Sequence, residues 1–520
     1  MITKVYGAPG TGKTSWLINK LNEVVDGEEI TLKDVVFVSF SNPAINEVCE
    51  RTGATKGGFT SPYFRTLHGL CASFLSRTDS EIKEKIQEMI KFGFIEGIQA
   101  QFCRSLGIPY EIDEHGTSEA LGNRAFSSWT AIVGEYYPKK RDLESCLDLL
   151  YDVDVRYGDI IEQWLKFKEK TGVLDFNDFL IEAYERDIEI DAKVGFFDEV
   201  QDFNRLEFEV VKKIISNLDE VYLAGDDDQA IYSWKGAKPE FFLEFEGEEI
   251  VLPKSWRVPS KVWEFANGII RQVSKRRTKK IEPANEGGLV RVLDKRTIED
   301  LTIEAAKLSM KYPSETFFLL FRTNKMVRTA EAVLLSRRVP FKKLKGWSIW
   351  DKELLMAWNV VAKLRGGIPL EFKEKAWLIE NLKDEVLSPE LKEVALKGLE
   401  SGKLPLEFFE AIQKRDPVDL IKFRRKQTKR IVRDAWQPIE PEKVNLYVDT
   451  IHAAKGKEAD VVILADAITS NIASSLRSGF RDSELRVFYV GITRARKAVF
   501  VAPLYKFKSF LTSEVLIYAR

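Results

Sequence analysis

The chain has 520 residues, 44% of them hydrophobic and 31% charged, and its 79 Lys and Arg residues are balanced by 80 Asp and Glu residues. That length exceeds a single hydrophobic core, so about two to four domains are expected, and the balanced charge excludes a global basic field, which makes any nucleic-acid site a local patch. Four widely spaced cysteines exclude a CxxC metal site and a disulfide scaffold, and no apolar run reaches the ~18 residues of a membrane span, so we expect a soluble, intracellular (cytoplasmic) protein without a membrane partner.

Short apolar runs rich in β-branched and aromatic residues predict strands along the chain. In chain order they are ITKVY (2–6), VVFVSF (35–40), VGFFDE (194–199), VYLAGD (221–226), LVRVLD (289–294), TFFLLF (316–321), DVVILAD (460–466) and AVFVAPL (498–504). Most are continuously apolar, which is typical of parallel strands buried on both faces. The first four runs enclose one long helix-patterned stretch, and the last four enclose another.

This layout predicts an α/β fold with two parallel-sheet domains, each carrying a mainly helical inserted domain. The expected domains are 1–75 with 173–255 (first sheet), 76–172 (first insertion), 256–352 with 441–520 (second sheet) and 353–440 (second, reduced insertion). Two basic clusters, KRRTKK (275–280) and KFRRKQTKRIVR (422–433), are interpreted either as solvated faces or as surfaces that track phosphates.

A phosphate-binding loop is predicted directly after the first strand, where VYGAPGTGKT has GxxxxGK[ST] spacing. Backbone N–H groups of such a loop surround phosphate oxygens, Lys13 supplies charge at the β- and γ-phosphates, and Thr14 can hold Mg²⁺. A glycine-rich turn without a ligand is the alternative, which the strand-loop-helix setting disfavours. The expected ATP-binding loop comprises Gly7, Ala8, Pro9, Gly10, Thr11, Gly12, Lys13, Thr14 and Ser15.

A second acidic element follows the third predicted strand in VGFFDEVQD. Its carboxylates lie at the carboxyl end of a parallel strand, which is where ligands bind in such sheets. We expect Asp198 to hold Mg²⁺ together with Thr14, and Glu199 to polarise the attacking water. A hydrolytic glutamate favours an ATPase over other P-loop classes, so ATP and Mg²⁺ are the predicted cofactors.

These two motifs belong to a larger collinear set. The others are VSFSNPAINEVCER (38–51), FRTLHGL (64–70), LDFNDFL (174–180), GDDDQAIYSWKGA (225–237), SWRVP (255–259), GWSIWDKEL (346–354), DTIHAAKGKEADVVIL (449–464) and VFYVGITRAR (487–496). In content and order the sequence resembles the UvrD/Rep/PcrA-like superfamily 1 DNA helicases, nearly end to end. The resemblance implies two RecA-like P-loop domains and an ATP-dependent helicase that moves 3′ to 5′ on single-stranded DNA and unwinds duplex.

The resemblance also implies roles at the nucleotide. Gln229 would sense the γ-phosphate, and Arg257 and Arg494 would reach it across the interdomain cleft as arginine fingers. Trp256 stands where the family usually has a tyrosine that stacks on adenine. Glu458 matches the residue expected at the ribose.

The DNA side is implied by the same motifs. The expected DNA-binding residues are Phe64, His68, Phe176, Tyr232, Trp234, Lys235, Thr450 and His452. Trp234 would stack on a base, so one short segment could pass the state of ATP, sensed by Gln229, to the grip on DNA. For Thr450 and His452 the alternative is a place in the coupling network. For Phe64, His68 and Phe176 the alternative is core packing.

Several departures from the family pattern lead to further expectations. The LNxxQxxA element that reads adenine is missing before Gly7, and Ser15 stands where an arginine often follows GKT, so we expect relaxed base discrimination. The second insertion is shorter than in larger members, from which reduced autoinhibition is expected. The stretch after Arg496 is too short for the nuclease domain that some relatives carry, so a compact motor core is expected.

The expected partners are single-stranded DNA, tailed duplex DNA, and replication or repair proteins. The alternative function is a nucleotide-gated DNA-binding remodelling factor with little unwinding by itself. Such a switch could dispense with the catalytic set, so the presence of Glu199, Gln229, Arg257 and Arg494 argues against a slow switch. An RNA substrate is less expected, because no motif indicates recognition of a 2′-hydroxyl.

Overall fold

The computed structural model describes residues 1–27, 29–92, 95–111, 118, 120–139, 142–344, 350, 352–401, 406, 410, 415–476 and 480–512. Residues 346–349 and 351 of the GWSIWDKEL motif lie outside the described residues. Along the described chain, no helix is both long and apolar enough to cross a membrane.

The first sheet is parallel throughout. It contains β1 (Ile2–Gly7), β2 (Val35–Ser39), β3 (Phe64–Thr66), β4 (Val194–Phe197), β5 (Glu220–Gly225) and β6 (Glu248–Leu252). Their spatial order is β3-β2-β4-β5-β1-β6, and all neighbours pair in parallel. Every residue of β2 and β4 is buried, which confirms the reading of continuously apolar runs as central parallel strands.

A short two-stranded ladder and the second sheet follow. The ladder pairs β7 (Lys254–Ser255) with β8 (Glu282–Pro283), and the second sheet contains β9 (Leu289–Val292), β10 (Phe317–Phe321), β11 (Leu446–Thr450), β12 (Ala459–Asp466) and β13 (Ala495–Pro503). The order is β11-β10-β12-β13-β9, again all parallel. The run LVRVLD does form β9, but this strand lies at the sheet edge, so Leu289 and Val292 remain 49% and 46% exposed.

Helices surround both sheets. Those of the first half are α1 (Lys13–Val25), α2 (Asn42–Thr52), α3 (Leu67–Thr78), α4 (Ser80–Phe92), α5 (Ile95–Ser105), α6 (Leu121–Tyr136), α7 (Leu143–Val153), α8 (Val155–Thr171), α9 (Phe176–Glu185), α10 (Arg205–Ile215) and α11 (Pro239–Glu244). Those of the second half are α12 (Ser260–Ile270), α13 (Ile298–Lys311), α14 (Asn324–Ser336), α15 (Lys352–Arg365), α16 (Phe372–Asn381), α17 (Pro389–Ser401), α18 (Pro417–Leu420), α19 (Lys426–Val432), α20 (Ser470–Ser475) and α21 (Arg481–Ile492).

Each helical insertion shares a core with its own sheet. Trp164 of α8 and Phe197 of β4 belong to one buried cluster, and Leu378 of α16 and Phe317 of β10 belong to another. The described elements therefore follow the predicted order of sheet and insertion, while the domain boundaries themselves stay a prediction.

A third buried cluster connects the two halves of the chain. It brings Ala8 and Tyr232 of the first half together with Ala453 and Phe488 of the second. The two sheet domains therefore pack against each other through this apolar cluster, and polar residues such as Gln229 and Arg494 meet in the cleft between them.

Candidate functional site

The predicted phosphate loop lies between β1 and α1 at the carboxyl edge of the first sheet. Gly10 and Gly12 have φ of +78° and +83°, in the left-handed region that favours glycine. A Cβ on Gly7 would lie 2.2 Å from Thr11 Oγ1, so that position also has to be glycine. Lys13 Nζ donates to the Gly7 carbonyl at 2.8 Å, which holds the ammonium over the loop.

The predicted metal residues are brought together. Thr14 Oγ1 donates to Asp198 Oδ2 at 2.7 Å, which joins the start of α1 to the end of β4. Asp198 is buried, and burial together with the charge of Glu199 raises its pKa to about 6. A hydroxyl and a carboxylate are the hard oxygen ligands that Mg²⁺ prefers, so the pair fits that ion chemically.

Glu199 follows with an unusual backbone. Its φ of +58° is rare for a residue other than glycine and is typical of functional sites, where strain is retained. Gln201 Nε2 donates to Glu199 Oε2 at 2.5 Å, and Lys455 Nζ lies 3.6 Å from the same oxygen. Burial alone would raise the pKa of Glu199, but Lys455 and Lys13 outweigh it and hold the pKa below its ordinary value. The carboxylate is therefore kept ionised.

The predicted sensor and one predicted arginine finger touch directly. Arg494 Nη2 donates to Gln229 Oε1 at 3.0 Å, and Gln229 Nε2 donates to Asp226 Oδ2 at 2.8 Å. Arg494 is 1% exposed and also donates to the backbone carbonyl of Val490, an uncharged acceptor. Burial, and next the nearby Arg257, lower the pKa of Arg494 to about 9. A buried cation in this situation would be stabilised by a bound anion.

The SWR segment rests on the phosphate loop. The Trp256 backbone N–H donates to the Gly10 carbonyl at 2.9 Å, and Ser255 Oγ donates to the Pro9 carbonyl at 2.7 Å. Trp256 is 65% exposed, and Lys254 Nζ lies over its ring at 4.5 Å from the centroid, so a planar ligand would stack on the opposite face. Arg257 Nε donates to Glu458 Oε2 at 2.6 Å, which joins the second predicted finger to the predicted ribose residue.

Two residues that the sequence analysis did not assign complete the cleft. Lys455 donates to Asp202 Oδ2 and, at 2.8 Å, to the Gln229 carbonyl, so it crosses from the second sheet domain to the DEVQD loop. Gln201 Nε2 donates to Glu199, and Gln201 Oε1 accepts from the Asp226 backbone N–H at 2.8 Å, so Gln201 connects these two residues. The sequence could have drawn attention to Lys455 because this residue lies inside the DTIHAAKGKE motif.

Three predicted DNA residues line one cavity of about 170 Å³. The lining comprises Ser39, Phe40, Thr66, Leu67, His68, Phe176, Phe203, Glu207 and Lys235. The rings of His68 and Phe176 meet edge to face at 5.1 Å, and burial lowers the pKa of His68 to about 4, so this imidazole is neutral near pH 7. Lys235 is buried and lies 3.1 Å from Glu207 Oε1, so its charge is compensated within the protein.

Capping fixes the helices that present this cavity. Asp175 caps α9 and Asn204 caps α10, each in a capping box with the residue three positions later. Phe176 is therefore the first residue of α9 and is 42% exposed. The neighbouring Trp234 is half-buried, with its ring centroid 6.3 Å from that of Tyr232.

Four other predicted DNA residues are buried. Phe64 is fully buried, with its ring 5.8 Å from that of Phe37, because it belongs to β3 and lies with Phe37 in a buried apolar cluster of the first sheet. Tyr232, Thr450 and His452 are 3%, 0% and 1% exposed and lie in or beside the interdomain core. Burial favours the alternative of core packing for Phe64 and of the coupling network for Thr450 and His452, and contact of these residues with DNA stays a prediction.

Two parallel sheets, with a phosphate loop and acidic pair on one and arginines entering from the other, define a P-loop protein with two RecA-like domains. The family of the UvrD/REP helicase N-terminal domain matches residues 2–249, and that of the UvrD-like helicase C-terminal domain matches residues 415–504. Together these matches cover more than half of the chain. The chain belongs to the UvrD/REP helicase family, which confirms the resemblance found in its motifs.

Individual relatives agree with this assignment. The chain is 25% identical over 379 residues to a probable DNA helicase II homolog of Mycoplasma capricolum subsp. capricolum, covering 68% of this chain and 51% of the relative. It is 22% identical over 401 residues to the ATP-dependent DNA helicase PcrA of Staphylococcus epidermidis, covering 71% and 52%. The PcrA of Staphylococcus aureus is 23% identical over 400 residues, with the same coverage. The chain spans about half the length of the curated relatives it matches.

Proposed function

We propose that the protein is an ATP-hydrolysing DNA helicase and translocase that moves 3′ to 5′ on single-stranded DNA. The observation that carries the proposal is the direct hydrogen bond between Arg494 of the second sheet domain and Gln229 of the first. It joins the two domains beside the phosphate loop, where hydrolysis would change their contact. A motor needs this connection between chemistry and domain closure.

The chemistry would be divided between the two domains. The amides of the phosphate loop and Lys13 would bind the β- and γ-phosphates. Thr14 and Asp198 would hold Mg²⁺, which when bound neutralises phosphate charge and orients the oxygens. Glu199, kept ionised by its neighbours, would polarise the attacking water. Arg494 would meet the charge that develops on the γ-phosphoryl group.

The adenosine half of ATP would lie between the domains. The exposed Trp256 indole, held beside Gly10, offers a stacking surface for the base. Glu458 would face the ribose, and its ion pair with Arg257 would have to open or rearrange so that the guanidinium can reach phosphate.

Binding of DNA would begin at Trp234, five residues after Gln229. Trp234, reached from Gln229 through one short segment, offers part of its ring to a base. The cavity next to it, with Phe176 exposed and His68 neutral, suits a flat and uncharged base better than a phosphate. Relatives named DNA helicases support DNA as the substrate, and family resemblance supports the 3′ to 5′ polarity.

The first experiment is steady-state ATP hydrolysis without nucleic acid, with single-stranded DNA and with RNA, by wild type and Lys13→Ala. We expect hydrolysis to be strongly stimulated by DNA and lost in the variant. Strand separation is then measured on duplexes with a 3′ or a 5′ tail, and only the 3′-tailed duplex is expected to open. Hydrolysis that ignores DNA would overturn the proposal, and DNA-stimulated hydrolysis without strand separation would favour a remodelling factor.

A further inference from the structure

Three consecutive aspartates are buried side by side after β5. Asp226, Asp227 and Asp228 are each at most 1% exposed, and their carboxylate oxygens lie within 4.8 Å of one another. Like charges this close and this poorly hydrated cannot all remain ionised unless cations compensate them. The cations come from the KRRTKK cluster, which is therefore neither a solvated face nor a phosphate surface at these positions.

Lys279 occupies the centre of the aspartate run. Its Nζ lies 2.8 Å from Asp226 Oδ1 and 3.0 Å from Asp228 Oδ2, and it also contacts Asp227 Oδ1. Its side chain is 1% exposed. Arg276 binds the far end of the run through two hydrogen bonds to Asp228, of 2.8 and 2.6 Å. Both cations thus contact Asp228, but within the run Lys279 also contacts Asp226 and Asp227.

The first aspartate connects this cluster to the sensor. Its Oδ1 is held by Lys279, and its Oδ2 accepts the hydrogen bond from Gln229 Nε2. The amide oxygen of Gln229 is left to face Arg494. Burial would raise the pKa of Asp226, but Lys279, ahead of Lys13, outweighs it and keeps the pKa below its ordinary value. Both oxygens of one ionised carboxylate are therefore fixed.

We infer that Lys279 is a positioning residue for ATP turnover, which fixes Asp226 and through it the orientation of the Gln229 amide toward Arg494. The inference rests on the proposed function. Loss of Lys279 would leave Arg276 as the cation in direct contact with the three adjacent carboxylates, and Arg276 reaches Asp228 and not Asp226, so Asp226 would turn away or take up a proton. Either change would release the Gln229 amide from its present orientation.

The segment that carries Lys279 is itself held by both domains. Arg277 packs over the Tyr6 ring of β1 at 4.5 Å, in the first sheet. Arg486 of α21, in the second domain, donates to the Asp227 carbonyl at 2.9 Å and to the Lys275 carbonyl at 2.8 Å. Movement between the domains would therefore be transmitted to the aspartate run.

The test compares kcat and KM for ATP in the presence of single-stranded DNA, using the full chain. We expect Lys279→Met to lower kcat by roughly 10- to 100-fold, because the sensor is misplaced and not removed, with KM for ATP changed less than about threefold. Lys279→Arg is expected to restore most of kcat, since it returns a cation to the cluster.

Two matched variants separate positioning from stability. Arg276→Met removes a cation from the same cluster without touching Asp226, so it should lower the melting temperature but leave kcat within about threefold of wild type. Lys280→Met removes a neighbouring exposed lysine and should change neither. If Lys279→Met does not fold, Asp226→Asn replaces it, because Lys279 then keeps two carboxylate partners, and the same selective loss of kcat is expected.

The inference is overturned if Lys279→Met, or Asp226→Asn in its place, turns over ATP at the wild-type rate. It is also overturned if Lys279→Met and Arg276→Met lose kcat equally and in proportion to their loss of stability, since that is the result of a structural role alone. A wild-type chain without DNA-stimulated hydrolysis would overturn the proposed function itself, and the two failures are thereby distinguished.

Discussion

Replacement of Trp234 by alanine tests the connection between ATP and DNA most directly. Stacking of a base on an aromatic side chain is worth about 1–3 kcal/mol. Trp234 is half-buried against the interdomain core, so only part of its ring is available, and we take the lower part of that range. A loss of about 1–2 kcal/mol corresponds to single-stranded DNA binding that is weaker by roughly 5- to 30-fold.

The assay is fluorescence anisotropy with labelled single-stranded DNA, combined with ATP hydrolysis over a range of DNA concentrations. We expect Trp234→Ala to raise the DNA concentration needed for half-maximal stimulation by this factor, with ATP binding unchanged, and Trp234→Phe to keep most of the affinity. Trp436→Ala is the matched control, because Trp436 is an exposed tryptophan (68%) in the second insertion. Normal DNA affinity and stimulation in Trp234→Ala would refute the role of this ring.

Three further predictions concern the nucleotide. Glu199→Gln should bind ATP as wild type does but slow single-turnover hydrolysis by about 10²-fold or more, because it cannot polarise water as a carboxylate does; hydrolysis near the wild-type rate would exclude Glu199 as the base. Trp256→Ala should raise KM for ATP with kcat little changed, because stacking on the base stabilises the bound substrate and the transition state equally. A fall in kcat alone would contradict this. The pKa of Asp198 is raised to about 6, so protonation of this carboxylate competes with the metal below that pH. Mg²⁺ affinity, measured by calorimetry, should therefore fall roughly tenfold per pH unit below about 6 and level off above it. Asp198→Asn should remove that pH dependence.

Structural features whose signal lies in consecutive residues could be predicted from the sequence. Continuous apolar runs identified the central strands because burial on both faces is written into consecutive residues, as in FFLLF of β10. The three-residue β3 is too short for such a signal, so the sequence left Phe64 open between a DNA contact, implied by the family resemblance, and core packing. Glycine spacing in the phosphate loop is equally local, and Lys13 and Thr14 do follow that loop at the start of α1, while their roles at phosphate and metal stay predictions.

Pairings between distant charges leave no local pattern. Lys455 meets Asp202 and Lys279 meets Asp226 only after the chain has folded, and nothing in the spacing of a lysine reveals which carboxylate it will face. The burial of the acidic run 226–228 and the cations that compensate it are likewise tertiary features, and the sequence alone does not reveal them.

The distribution of charge across the cleft shows where a bound triphosphate would act on the contact between the two domains. Lys455 and Arg494 both enter the first domain from the second, but Lys455 reaches carboxylates whereas Arg494 reaches the neutral amide of Gln229. The cost of burying a cation is thus offset by carboxylates at Lys455, whereas the amide of Gln229 does not offset it at Arg494. A triphosphate bound beside Gln229 would supply the missing negative charge, and its loss after hydrolysis would restore the cost. Closure and opening of the cleft would then follow the charge of the nucleotide, with Arg494 as the residue that responds to it.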